Sequence, residues 1–238
     1  MNRLFIANLM RIKNSKLYWI ICGSMAAVAL VLVFIFMNAD KTVDQIITLF
    51  VIPVGIALAV FLGLFFGTEY GDGTIRNKLI ALDRRQIYFA NLFTSFICAI
   101  GLIISYMLPV VLIGFPCIGL PKSLSFRIVA VGFVTLLAYC SIFTMIGMLY
   151  SNKAGATVLD IILFIVLLLI GAFICSVLME PEFVLSYGDA QFIPNPRYVT
   201  GTKRVILQIL ANVLPSGQAI QFAEGVTDTL WSLPLYSL

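Results

Sequence analysis

The sequence predicts an all-α integral membrane protein: a bundle of five complete transmembrane helices plus the start of a sixth. Three observations predict it. Of the 238 residues, 61% are hydrophobic and only 11% charged, against roughly 25% charged in a soluble domain. Mean hydropathy is +1.07. Five runs are free or nearly free of charge over the about 20 residues that a helix needs to cross the hydrocarbon core. A soluble enzyme is excluded on these grounds, and so is a disordered chain, which would be poor in apolar residues.

The elements follow in order. Asn2 to Lys16 places Phe5, Leu9 and Ile12 on one stripe with Arg3, Arg11 and Asn14 opposite. That is the pattern of a basic amphipathic helix lying in the membrane interface, or more simply of a basic arm that sets topology. Leu17 to Met37 is the first span, too long for a signal-peptide core and followed by no small-residue cleavage site. Ile46 to Phe66 is the second, with Pro53 expected to kink it. Gly63, Gly67 and Gly71 recur every fourth residue at its end, the spacing of a close helix–helix seam with another span or a second subunit, unless it is chance. The third run starts near Ile87 and stays uncharged to Pro121, with its membrane part at about Phe89 to Ile113. Ile128 to Tyr150 is the fourth and Thr157 to Met179 the fifth, interrupted by Asp160.

Asp160 is the one charged residue well inside an expected span. Intramembrane acids often mark an ion or substrate pathway. About one turn into its helix, however, a negative charge also suits the helix dipole and reaches the interface, and that structural role is the favoured expectation.

Orientation follows from lysine and arginine placement. With the N-terminus in the cytoplasm, the inside segments hold Arg3, Arg11, Lys13, Lys16, Arg76, Lys78, Arg84, Arg85 and Lys153, while the short outside loops hold Lys41, Lys122 and Arg127. The nine-to-three bias puts the N-terminus inside. Residues 180–229 then form an outside segment, in which Ile206, Ile209, Leu210 and Val213 share one face of a helix over Thr202 to Val213. Pro215 ends that helix, and Ser216 to Glu224 can form a second. The stretch Leu230 to Leu238 resembles the opening of a sixth span.

Composition removes most chemistry. There is no histidine, hence neither the usual general base nor the commonest metal ligand. Cys22, Cys98, Cys117, Cys140 and Cys175 contain no C-x-x-C pair and do not read as a disulfide framework. No G-x-x-x-x-G-K-[ST] occurs, so this chain is not expected to cradle ATP, and Gly71-x-Gly73 is no dinucleotide fingerprint. Catalytic, cofactor-binding and metal sites are expected to be absent, and no nucleic-acid partner is expected. Serine and threonine within the spans read as interhelical hydrogen-bonding groups.

The most informative segment is the loop from Gly67 to Gln86, which holds seven of the 26 charges. Gly71 and Gly73 permit a sharp turn, and Asp72 or Thr74 can cap a short helix. Ile75, Leu79, Ile80 and Leu82 supply an apolar side, with Arg76, Asn77 and Lys78 polar. Asp83-x-x-Gln86 reads as a capping box that opens the third span beside Arg84. Spacing alone leaves two readings, a surface helix that meets a soluble partner and a solvated loop whose basic residues touch anionic headgroups.

The stretch Glu69-Tyr-Gly-Asp-Gly-Thr-Ile-Arg-Asn-Lys-Leu-Ile resembles the cytoplasmic signature of type-2 ABC-transporter permeases. The basic N-terminal helix, the long outside segment and Leu214-Pro-Ser-Gly-Gln-Ala-Ile220 resemble the same layout, which covers most of the chain as a single transmembrane domain, residues 1–238. The resemblance implies a non-enzymatic subunit that pairs as a homo- or heterodimer and binds two separate P-loop ATPase subunits, which carry the ATP and magnesium. Residues 1–16 would be an elbow helix, and 67–86 the coupling loop. In that loop Glu69, Gly71, Gly73, Thr74, Ile75, Arg76, Lys78, Leu79, Asp83 and Arg84 would serve ATPase coupling. Pro215 and Gly217 would belong to an extracellular gate. The implied setting is a bacterial plasma membrane, with export of a peptide antibiotic or other amphipathic toxin as the implied activity. An ATP-independent secondary transporter or channel is the alternative, with Asp160 as its first candidate residue. It would want paired intramembrane charges or an internal repeat, and the sequence has neither.

Overall fold

The structure, a computed structural model, describes residues 2–38, 42–71, 73, 78, 80, 83–119, 125–150, 152–185 and 192–223. In chain order these form α1 (Asn2–Asn14), α2 (Lys16–Met37), α3 (Val43–Leu49), α4 (Val51–Gly71), α5 (Arg84–Pro109), a π-turn (Val110–Gly114), α6 (Phe115–Ile118), α7 (Ser125–Leu149), α8 (Lys153–Met179), strands β1 (Phe183–Leu185) and β2 (Phe192–Pro194), α9 (Thr202–Val213) and α10 (Pro215–Ala223). Among the described residues, five segments are long and apolar enough to cross a membrane: Lys16–Met37, Val43–Glu69, Arg84–Ile118, Val129–Leu149 and Lys153–Met179. They coincide with the five expected runs to within a few residues at most ends. The third is 35 residues long, roughly 50 Å, and so exceeds the hydrocarbon core. Pro109 does not end it, because the helix widens into the π-turn where the proline interrupts the regular ladder.

The chain divides into two compact units, residues 1–164 and 165–238. In the first, α4 packs on α7, α2 on α5, α5 on α7, and α1 on α5. The second span is central, with 67% of its apolar window buried, whereas the first is peripheral at 28%. Tyr139 and Phe143 stack in the core and Phe164 meets both edge-on, with ring centroids 4.9 to 6.5 Å apart. Interhelical hydrogen bonds join the spans as expected: Ser95 Oγ and Thr144 Oγ1 lie 2.8 Å apart, and Ser105 Oγ donates to Cys22 O at 2.6 Å. Such bonds average about 0.6 kcal/mol each within a bilayer, so they set register more than stability.

The second span breaks at Phe50 rather than kinking at Pro53. A proline ring clashes with the carbonyl four residues earlier, here that of Leu49, and the break falls there. Phe50 N turns to Ile47 O at 3.4 Å, which leaves the Ile46 carbonyl without its helical donor. Tyr106 on α5 supplies one, its hydroxyl donating to Ile46 O at 3.1 Å.

The glycine ladder is a seam within this chain. A Cβ on Gly63 would lie 2.6 Å from Thr157 Cα, and one on Gly67 would overlap Lys153 Cα. Two glycines four residues apart thus meet two α8 residues four apart, backbone against backbone.

Asp160 departs from expectation. α8 begins at Lys153, with Asn152 Oδ1 accepting from Ala154 N at 3.0 Å, so Asp160 lies two turns inside the helix instead of one. It is fully buried, and neither carboxyl oxygen has a hydrogen-bond partner among the described residues. The carboxyl therefore does not reach the surface of the chain, as the interface role expects. Lys153 read as loop because it is charged, and that concealed the first turn.

In the second unit, β1 and β2 pair antiparallel with Phe183 opposite Pro194 and Leu185 opposite Phe192, a small exception to an all-helical chain. Asn195 closes this ladder, its amide donating to Glu180 Oε2 and Pro181 O, each at 3.0 Å. α9 spans Thr202–Val213, the bounds the periodicity predicts. Its face of Ile206, Ile209, Leu210 and Val213 is exposed, and Ala211 is its buried residue.

Candidate functional site

The candidate site is a polar knot built around Glu69. This residue sits in the last turn of α4 and is 2% exposed. A buried carboxylate needs charge compensation, and two cations converge on one of its oxygens. Arg11 Nη1 donates to Oε1 at 2.6 Å, and Lys78 Nζ donates to the same oxygen at 2.5 Å. Arg11 Nη2 also donates to Thr68 Oγ1 at 3.2 Å, and the guanidinium lies over the Phe65 ring, 4.6 Å from its centroid.

The network continues into the bundle. Lys78 Nζ donates to Asn8 Oδ1 at 3.3 Å. The other end of that amide donates to Asn91 Oδ1 at 2.9 Å and to Thr94 Oγ1 at 3.4 Å on α5. The loop, the end of α4, the N-terminal helix and the third span are thus tied by consecutive polar contacts. Asn91 Nδ2 is buried without a partner among the described residues. Arg11, Glu69 and Lys78 together carry one positive charge in excess.

Asn8, Thr68, Asn91 and Thr94 are members that sequence reasoning missed. Asn8 and Ile12 are the buried residues of α1, so the apolar stripe of that helix has an asparagine within its packed face. Asn91, Thr94 and Ser95 lie at i, i+3 and i+4 of the third run, a polar face on an apolar helix that periodicity alone reveals. Arg11, expected on the water side, instead reaches sideways to α4.

The remaining expected site residues divide clearly. Gly73 has φ +67°, the left-handed conformation of a sharp turn, and Gly71 is the last residue of α4. Asp83 stands at the N-cap of α5 with φ −67° and ψ 148°, but its side chain makes no capping hydrogen bond. The capping box with Gln86 therefore does not form, and both side chains are exposed. Arg84 opens α5, exposed. Asp72, Thr74, Ile75, Arg76 and Leu79 lie outside the described residues, and with them most of the expected coupling helix, 74–82, and the whole of the stretch 230–238.

Pro215 and Gly217 belong to the second unit. Pro215 opens α10 as well as closing α9, since Leu214 between them is extended. A Cβ on Gly217 would lie 2.5 Å from Ala211 O, so only glycine allows α10 to fold back on α9. Ser216 Oγ donates to Leu167 O at 2.6 Å and Cys175 Sγ to Gly217 O at 3.6 Å, which fixes this corner on α8.

Compared with protein-family models, with curated proteins and with solved structures, the chain finds no match in any of the three. Its sequence and architecture establish a multi-pass, mostly helical membrane protein with five apolar spans.

Proposed function

We propose that this protein is the permease subunit of an ATP-driven exporter of the type-2 ABC kind, working as a dimer with two separate ATPase subunits. The observation that supports this reading is the Glu69 knot. A soluble partner pressing on the loop moves Lys78, and Lys78 is bonded both to Glu69 on α4 and to Asn8 on α1. Asn8 passes the displacement to Asn91 and Thr94 on α5. One loop contact thereby reaches three membrane elements. A bistable dimer whose two states the ATPase binds differently would convert this into alternating access. Cargo would enter from the cytoplasm or the inner leaflet, with an amphipathic peptide as the class the family resemblance favours.

The test is purification of the protein from its native membranes under mild conditions, with mass spectrometry of the intact complex. A co-purifying P-loop ATPase is the expected result, and a second permease would mark a heterodimer. A complex without an ATPase in both mild detergent and nanodiscs would overturn the proposal.

Asp160 favours the secondary-transporter reading, because a buried carboxyl without partners among the described residues is the group such a protein would use. Asp160→Leu separates the two. The substitution removes an unsatisfied buried group and is expected to raise stability by about 1–3 kcal/mol, read as a higher unfolding midpoint. Under the exporter reading, transport survives. Loss of transport in a stabilised variant would move the assignment to the secondary transporter.

A further inference from the structure

We propose that a groove between α1 and α4 holds one anionic phospholipid, with its phosphate at Arg11 and an acyl chain running along α4. The open groove has a volume of about 430 Å3 and is lined on the α4 side by Phe61, Leu64 and Phe65, and opposite by Met10, Asn14, Ser15 and Leu17. That volume lies within the roughly 300–1,000 Å3 of ordinary small-molecule sites.

Its polarity changes along its length. Phe61, Leu64, Phe65 and Thr68 fall at i, i+3, i+4 and i+7 of α4 and so share one face. Thr68 and Arg11 are at the end where α4 leaves the span, while Phe61 lies two turns further into it. A ligand that fits therefore has an anionic head and an apolar tail in line, which is the build of a phospholipid and not of a soluble anion or an apolar helix.

Charge complementarity fixes the sign of the head. Among the described residues, Glu69 is the acid that Arg11 and Lys78 share, and one carboxylate does not neutralise both cations. Arg11 keeps 39% of its side chain exposed and lines the groove. The Phe65 ring beneath the guanidinium holds it in place, leaving its further N–H groups for phosphate oxygens. Trp19, exposed with its indole N–H donating to Lys13 O at 2.9 Å, places this corner at headgroup depth, where tryptophan is enriched.

The experiment uses the full chain in nanodiscs containing equal amounts of phosphatidylglycerol and phosphatidylcholine, followed by native mass spectrometry of the lipid that stays bound. The expected result is one retained lipid per chain, with phosphatidylglycerol favoured about fivefold, the effect of one basic side chain at the surface. Leu64→Trp fills the groove without touching the knot and is expected to abolish that preference. If Leu64→Trp does not fold, Met10→Trp, at an exposed position on the opposite wall, takes its place. Inorganic phosphate in excess is expected to displace nothing, because it lacks the tail. Equal retention of the two lipids, displacement by phosphate, or a preference that survives in the folded tryptophan variant overturns the proposal. None of these outcomes bears on ATPase partnership.

Discussion

Glu69→Ala is expected to loosen the N-terminal helix on its α4 side and lower stability by about 3 kcal/mol. Removing one member of a buried ion pair typically costs roughly 3–5 kcal/mol, because the partner charge stays behind without compensation. Here two partners stay behind. Lys78 has 14% of its side chain exposed and cannot readily reach water, whereas Arg11, at 39%, can turn outward, so the lower end of the range applies. Turning outward takes α1 with it, since Arg11 is what carries α1 across to α4. Limited trypsin digestion reads this directly: cleavage after Arg11 and Lys13 is expected to accelerate while the spans remain intact. Glu69→Gln keeps one neutral acceptor and should show a smaller change. The double variant Glu69→Ala/Arg11→Ala should recover part of the loss, because one stranded cation disappears with its acid. A digestion rate identical to that of the unaltered protein would show that α1 is held by its α5 contacts alone.

What could be read from the sequence was local. Five spans are legible because an apolar run of membrane length is a property of consecutive residues. α9 is legible for a similar reason, with its period of 3.6 and Pro215 both lying within a few residues of each other. Glu69 stands out by the charge density of its loop, but its partners do not: Arg11 is 58 positions away, and Asn91 lies 83 from Asn8. No periodicity links such positions, and α1 considered alone puts Arg11 toward water. The Phe50 break illustrates a displaced signal, since Pro53 is visible but its steric effect falls four residues earlier. Asp160 was misplaced by charge. Lys153 marks the loop in hydropathy, yet Asn152 caps there and Lys153 begins the helix. The β1–β2 ladder has three-residue strands, too short for alternation to register.

The knot also gives α1 a meaning that amphipathicity alone does not. An interfacial helix held only by its apolar stripe would slide on the bilayer surface. Asn8 and Arg11, one turn apart, pin it instead to α5 and to α4. The groove beside Arg11 is left between these two attachments, because α1 packs on α5 while Arg11 spans the distance to α4.

Gly67→Ala is expected to push α8 away from α4 and to loosen the knot two residues further along. The new Cβ would overlap Lys153 Cα, which belongs to backbone and cannot rotate aside. Overpacking of this kind costs typically about 1–3 kcal/mol, and the absence of a flexible neighbour puts Gly67→Ala at the upper end. Gly63→Ala meets Thr157 backbone in the same way and should cost a similar amount. One outward shift of α8 relieves both clashes, so the double variant is expected to lose less than the two single losses combined. Gly23→Ala in α2 is the control, because a Cβ there meets nothing within 4 Å, and helix propensity alone favours alanine by up to about 1 kcal/mol. Thermal unfolding of the four variants in one detergent gives the comparison. The same samples, digested with trypsin, should show Gly67→Ala accelerating cleavage in α1, because Glu69 moves with the end of α4. Unfolding midpoints that do not separate Gly67→Ala from Gly23→Ala would mean that the ladder is not a contact. A lowered midpoint with unchanged cleavage would instead confine the seam to α4 and α8 and leave the knot independent of it.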